Sequence, residues 1–348
     1  MRKFFAVIAA ALTAAGTLTS CSGGSGAGEK RPSGAAVVVV SGGDAVSPFT
    51  TNDQACATGL AAGNTDTAIR EFLVDKKYTV YTSPAMNGRG QVVDQQGFGA
   101  FGVCPVTLPE NMTVNSTGSI DAAGEHLARF INWLHTDKGV TEVDLVAHSM
   151  GGLYSRAAIR VLASTSAPIK VRTLTTIGTP WQGSFLSDYS NDLIPMTDCG
   201  GDKLCEGAMR DFRARTLQLM SGSGREVNKA FLMGSNGWNQ FQSGVLDRIP
   251  VTLIAGSKFT LPGPGNPAVW PNDGIVALES ALAAGINDPV LPHRRCFSFD
   301  DTHSIFVSDQ AKLDWKTALT WDPQVFDVVN TAIQAGPMAI DSPNREGC

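Results

Sequence analysis

Ser149 stands in Ala147-His148-Ser149-Met150-Gly151-Gly152, after an apolar run and before a helical pattern. A serine hydroxyl is a poor nucleophile near neutral pH. It attacks a carbonyl when a general base takes its proton and a carboxylate orients that base. A sharp turn from strand to helix can present such a serine, provided the residues two before and two after it are small enough for the backbones to approach. Ala147 and Gly151 meet that condition, with alanine in place of the first glycine of G-x-S-x-G. The spacing alone is weak, and its flanks give it meaning. Residues 143–146 read as a buried strand and residues 153–158 open a helix.

The base can be sought by elimination, because the chain has only five histidines. His126 and His135 fall on or at the end of the helix expected before the Ser149 strand. His148 adjoins the nucleophile, with its side chain expected to point elsewhere. His293 precedes a strand expected at residues 296–299 and reads as a surface residue. His303 follows that strand in Asp300-Asp301-Thr302-His303-Ser304, where the order serine, acid, histidine puts the base. For the acid, Asp273 is the first acidic residue after a strand expected at residues 250–255, and its Pro, Asn and Gly neighbours mark a turn. Asp301 is its rival. A carboxylate two residues from an imidazole rarely reaches the ring nitrogen facing away from the serine, so Asp273 is preferred.

These loops need a scaffold. Residues 35–40 are wholly apolar and end in Ser41-Gly42-Gly43, the pattern of a strand buried on both faces. Similar runs recur at residues 78–81, 143–147, 171–177 and 250–255. Ile120, Ala123, Leu127, Phe130, Ile131 and Leu134 share one face of a helix expected over residues 119–134, and a second helix is expected over residues 150–163. Buried strands alternating with helices imply an α/β domain with a mostly parallel sheet covered on both faces. Residues 86–115 break the alternation as a long Gly- and Gln-rich loop. Residues 181–245 carry helical patterns between two strands and read as a helical cap insertion.

The N-terminus reads as an address. Arg2 and Lys3 precede a short apolar run, too short for a comfortable membrane span. The run ends in Leu18-Thr19-Ser20-Cys21, which resembles the lipobox of bacterial lipoproteins. That resemblance implies a signal peptide over residues 1–20, lipid on Cys21, and a Gly/Ser-rich tether over residues 21–34 joined to a domain over residues 35–348. Of seven cysteines, setting Cys21 aside leaves an even set suited to an oxidising compartment. Proximity favours Cys199–Cys205, and Cys56–Cys104 and Cys296–Cys348 complete the expected pairing. No cysteine or histidine spacing suggests zinc, and no metal or other cofactor is expected. Hydrophobic residues make up 43% of the chain and charged residues 17%, enough for one large core. A net charge of -5 gives no electrostatic reason for nucleic acid as a partner. A monomer is expected.

The Ala147 to Gly152 elbow, Ile177-Gly178-Thr179-Pro180-Trp181-Gln182-Gly183-Ser184, Asn272-Asp273-Gly274-Ile275-Val276 and the later Asp301-Thr302-His303 resemble the true bacterial lipases of the α/β-hydrolase superfamily. Alanine before the elbow resembles the Bacillus branch. The resemblance implies a carboxylic ester hydrolase, a lipase or carboxylesterase, with Ser149 as nucleophile, Asp273 as acid and His303 as base. It also implies an oxyanion hole of two backbone N–H groups, those of Met150 and Gly43. The usual His-Gly pair after the first strand is here Ser41-Gly42, which departs from the family. The structural calcium of the Pseudomonas branch is not expected, because Ile305 stands where an aspartate would bind it. Acyl transfer, or hydrolysis of a polyester or cell-envelope lipid, would use the same triad. An envelope protein that binds lipid or glycan without catalysis is the reading from another class.

Overall fold

The computed structural model describes residues 31–52, 66–93, 106–219, 222–337 and 344–348. Strand β1 (Ala35–Val40) is buried along its whole length. Val38 and Val40 pack into one layer of side chains while Val37 and Val39 pack into the other. A strand with no solvated face has no use for alternating polar residues, which is why its sequence is uniformly apolar.

After β1 come α1 (Thr67–Asp75), β2 (Val80–Thr82), a minor parallel pair of β3 (Ala85–Met86) and β4 (Val114–Asn115), and α2 (Ile120–Lys138). The six apolar residues expected on one face of α2 are all buried. Ser119 caps the helix by accepting from the Ala122 N–H, and Gly139 ends it with φ at 68°. The chain continues through β5 (Glu142–His148), α3 (Gly151–Ser164) and β6 (Lys170–Ile177). The excursion that follows contains α4 (Phe185–Ser190), α5 (Lys203–Leu219), α6 (Gly222–Glu226) and α7 (Lys229–Met233). The chain then returns as β7 (Val251–Gly256), α8 (Leu278–Ala281), β8 (His293–Phe299), α9 (Ile305–Ala311), α10 (Pro323–Ala335) and β9 (Asn344–Glu346).

The main sheet has the order β2-β1-β5-β6-β7-β8-β9, with parallel neighbours throughout. Helices α2 and α3 cover one face; α1 and α10 cover the other, through Ile69, Leu73, Val325 and Val329. The fold is therefore α/β, as the alternation of patterns implies. The strand order reverses its direction of growth between β1 and β5. A crevice opens at such a switch point, outside the carboxyl ends of the strands. Val40 is in register with Ala147, so the loop after β1 and the turn after β5 leave the sheet side by side.

Asp144 is the one acidic residue inside the buried part of β5. It is compensated by Arg31 at 2.9 Å, Arg172 at 3.6 Å and the Thr173 hydroxyl at 2.9 Å. The excursion over residues 181–245 is tied to α3 by Arg156, fully buried between the rings of Trp181 and Trp238 at 4.2 and 4.8 Å. Its guanidinium donates to Asn239 Oδ1 at 2.7 Å. Phe185, Leu186, Met209 and Trp270 form a further apolar cluster with Cys199 and Cys205, and those two cysteines are joined in a disulfide.

A second disulfide joins Cys296 of β8 to Cys348 just beyond β9. Cys21, the Cys56–Cys104 pairing, the signal peptide and nearly all of the tether lie outside the described residues. No helix among the described residues is long and apolar enough to cross a membrane.

One expectation is corrected. β8 begins at His293, not at residue 296, and His293 is a buried strand residue instead of a surface one. The polar triplet His293-Arg294-Arg295 hides the strand from a reading of apolar residues. Its main chain is recruited by β9, and Arg294 is buried because it donates to the Ile286 carbonyl at 3.0 Å.

Candidate active site

Ser149 sits on the turn between β5 and α3 with φ at 55°, a left-handed conformation that costs a non-glycine residue roughly 1–2 kcal/mol. The turn persists because its surroundings leave little choice. The Ser149 N–H donates to the Ile177 carbonyl at 2.8 Å, and the Thr179 hydroxyl donates to the Ser149 carbonyl at 2.7 Å. A Cβ at Gly151 would come within 2.5 Å of the Val40 carbonyl oxygen, so only glycine lets α3 start so close to β1.

The Ser41-Gly42-Gly43 loop lies directly against this turn. A Cβ at Gly42 would stand 2.4 Å from that of Ser149, and one at Gly43 would stand 3.0 Å from the Met150 sulfur. No acceptor for the N–H of Met150 or of Gly43 is found among the described residues. Both expected oxyanion donors are thus close to the Ser149 turn and, among the described residues, not engaged elsewhere. The absent histidine of the family pattern is replaced by Ser41, whose hydroxyl is 2.8 Å from that of Ser47.

This packing makes a prediction. Gly42→Ala should displace the loop and lower kcat for a soluble ester by on the order of 10², the scale of losing one oxyanion donor. Its KM should change far less. Steady-state kinetics beside a melting curve would test it, and a kcat close to that of the parent would show that the loop yields without cost.

His303 follows β8, and Asp273 lies in the long loop after β7. The Asp273 carboxylate is held at both oxygens. Oδ1 accepts from the N–H groups of Ile275 at 2.9 Å and Val276 at 2.7 Å, and Oδ2 lies 2.7 Å from Nδ1 of His303. The His303 N–H also donates to the Asp273 carbonyl at 2.7 Å, so the two loops are joined through main chain and side chain together. Asp273 is fully buried, and His303 is 5% exposed. Ser149 Oγ makes no hydrogen bond among the described residues. A contact of this kind is commonly long before substrate binds.

Asp301 does not reach the imidazole. It faces Asp322, and burial with that like charge pushes its carboxyl up to about 8. Asp322 meanwhile caps α10 by accepting from the Gln324 N–H. His126 and His135 bond main-chain carbonyls on or near α2. The His148 ring packs against that of His303 at an interplanar angle of 44°, with centroids 4.8 Å apart. A residue next to the nucleophile meets the base because the loop after β8, three strands away in the sheet, returns to the end of β5, which local spacing cannot reveal. Asp66 was not singled out by sequence either. It precedes α1 where a capping residue is expected, yet its side chain makes no capping bond and faces His148 instead. An apolar crevice lined by Phe185, Leu204, Ala208, Phe259, Trp270 and Val307 lies between the excursion helices and the Asp273 loop.

Comparison with known proteins gives three findings. A family model described as the PGAP1-like alpha/beta domain matches residues 108–193. A triacylglycerol lipase of Pseudarthrobacter phenanthrenivorans is 38% identical over 77 residues, 22% of this chain and 23% of that protein. One of Burkholderia plantarii is 38% identical over 77 residues, 22% of this chain and 20% of its own length. The chain therefore matches less than a quarter of the length of these curated relatives. Among solved structures, lipase 1 from Pelosinus fermentans aligns with TM-score 0.47 and 13% identity over 85% of this chain and 98% of that one. The propeptide form of the Bacillus licheniformis lipase BlEst2 aligns with TM-score 0.47 and 16% identity over 91% of this chain and 53% of that one.

Proposed function

We propose that this chain is a serine hydrolase that cleaves carboxylic esters with apolar acyl groups, acting through an acyl-enzyme on Ser149. The observations that carry this are a serine on a left-handed turn after β5 and, in the loop after β8 of the same parallel sheet, a buried imidazole already paired to a carboxylate at 2.7 Å. The short match to two triacylglycerol lipases supports the same reaction class.

In the first step Ser149 Oγ attacks the ester carbonyl carbon while Nε2 of His303 takes its proton. Asp273 stabilises the imidazolium that forms, and the N–H groups of Met150 and Gly43 receive the oxyanion. Collapse expels the alcohol, which takes the proton from His303. Water, activated by the same imidazole, then releases the acid from Ser149. The resemblance of Leu18-Thr19-Ser20-Cys21 to a lipobox supports a place in the cell envelope, with lipid on Cys21 as the anchor. The helical excursion over residues 181–245 acts as its cap.

A series of p-nitrophenyl esters from acetate to palmitate, run beside fluorophosphonate labelling, tests the reading. Covalent labelling at Ser149 and a preference for acyl chains longer than acetate are expected. A chain that does not label is a binding protein, and a sharp preference for acetate would leave a short-chain esterase in place of a lipase.

A further inference from the structure

Beneath the Asp273–His303 pair lies a second buried pair of acid and histidine that the proposed reaction does not use. Nε2 of His148 is 3.0 Å from the main-chain carbonyl oxygen of His303. A carbonyl oxygen only accepts, so Nε2 carries a proton and donates it. On the other side of the ring, Nδ1 faces Oδ1 of Asp66 at 3.5 Å. Asp66 is 2% exposed, and its carboxyl also neighbours the Ser41 hydroxyl of the loop beside Ser149. No hydrogen bond of regular geometry satisfies either Asp66 oxygen or Nδ1 of His148 among the described residues, and the groups that face the Asp66 carboxyl there include both the His148 ring and the Ser41 hydroxyl. With its proton on Nε2, a neutral His148 presents a lone pair at Nδ1. A donor must meet that lone pair, and a single proton shared with Asp66 supplies one while keeping the buried site neutral.

We propose that Asp66 and His148 are positioning residues that share one proton, and through it hold the main chain of His303 and the Ser41-Gly42-Gly43 loop in register for acyl transfer. The inference rests on the hydrolase reading of Ser149, Asp273 and His303. Electrostatics agree with the geometry. Burial pushes the Asp66 carboxyl up to about 7 and pushes His148 well below the usual histidine value, so a neutral acid faces a neutral ring. The groups facing Asp66 are His148 at the end of β5, Ser41 after β1 and His303 after β8. Loss of the shared proton sets a carboxylate against the Nδ1 lone pair. The ring relieves this by moving its remaining proton to Nδ1, which gives up the bond to the His303 carbonyl.

The test is steady-state kinetics of the full chain on p-nitrophenyl butyrate across pH. Asp66→Leu, which removes the donor, should lower kcat by about ten-fold or more while KM stays within about two-fold, because the alignment of reacting groups is lost and not substrate binding. Asp66→Asn keeps an N–H donor at every pH. It should restore most of that loss near pH ~6 and lack the fall in kcat expected of the parent as pH rises through about 7. An Asp66→Leu enzyme with parental kcat overturns the proposal, as does an alkaline limb in Asp66→Asn matching that of the parent. If Asp66→Leu does not fold, the Asp66→Asn profile decides alone. Fluorophosphonate labelling separates the two levels of inference. A parent that does not label loses the triad and this proposal with it; a parent that labels while both variants behave as it does loses this proposal alone.

Discussion

Replacing Ser149 with alanine is expected to lower ester hydrolysis by on the order of 10⁴ or more in kcat and to abolish fluorophosphonate labelling, with the fold intact. The reaction has no other route to the acyl-enzyme. In the proposed reaction the N–H groups of Met150 and Gly43 would still be offered to an oxyanion, but without Oγ only unactivated water is left to attack. Stability should hardly change. Ser149 Oγ has no hydrogen bond to lose among the described residues, and the bonds that hold the turn come from the main chain of Ser149, which alanine keeps. Stopped-flow measurement of p-nitrophenol release beside a thermal melt would check both parts. A Ser149→Ala enzyme retaining more than a trace of hydrolysis would mean that another group is the nucleophile.

The acid gives the second large effect. Asp273→Asn should lower kcat by about 10³ to 10⁴, the cost of placing the imidazole proton on the wrong nitrogen. The reason is visible in the bonds to the carboxylate. Oδ1 accepts from the N–H groups of Ile275 and Val276, so the amide oxygen of an asparagine is held there and its NH2 is turned toward His303. Nδ1 of His303 must then accept, its proton moves to Nε2, and the nitrogen facing Ser149 becomes a donor that cannot take the serine proton.

Asp301→Asn should leave kcat within a few-fold of the parent and change stability instead. Burial against the like charge of Asp322 pushes the Asp301 carboxyl up to about 8 in the folded chain, far above the ordinary aspartate value of about 3.9. An acid whose folded pKa is raised binds its proton more tightly when folded. Its penalty is absent at acid pH, grows as pH rises above the unfolded value, and is complete above about 8. Asp301→Asn should therefore raise Tm at pH ~9 and leave it nearly unchanged at pH ~4. A greater loss of kcat at Asp301 than at Asp273 would reverse the assignment of the acid.

How much of this was legible in the chain depends on the range of the interaction. The strand at residues 35–40 was readable because burial on both faces demands apolar residues at every position, and those at residues 143–147 and 171–177 because β-branched and apolar residues dominate them despite Asp144 and Arg172. β8 was not readable in full, because its first three residues are polar and are held by β9 and by carbonyls of distant loops. The elbow showed itself in small residues within two positions of Ser149. The Asp273 loop showed itself in turn formers, and Asn272 does use its side chain locally, accepting from the Gly274 N–H at 2.8 Å.

Sequence by itself determined the α/β pattern, the turn at Ser149, and a short set of histidines and carboxylates arranged in a plausible order. Those are properties of residues within a few positions of one another, where backbone sterics and side-chain periodicity act. Tertiary structure alone decided what stands behind the reacting groups. The reversal of strand order beside β1 carries the Ser41 loop against Ser149, turns His148 beneath His303, and brings Asp66 from the start of α1 to meet it. Partners so far apart along the chain leave no mark on local spacing, because their contact is set by how the sheet closes and not by the residues beside them.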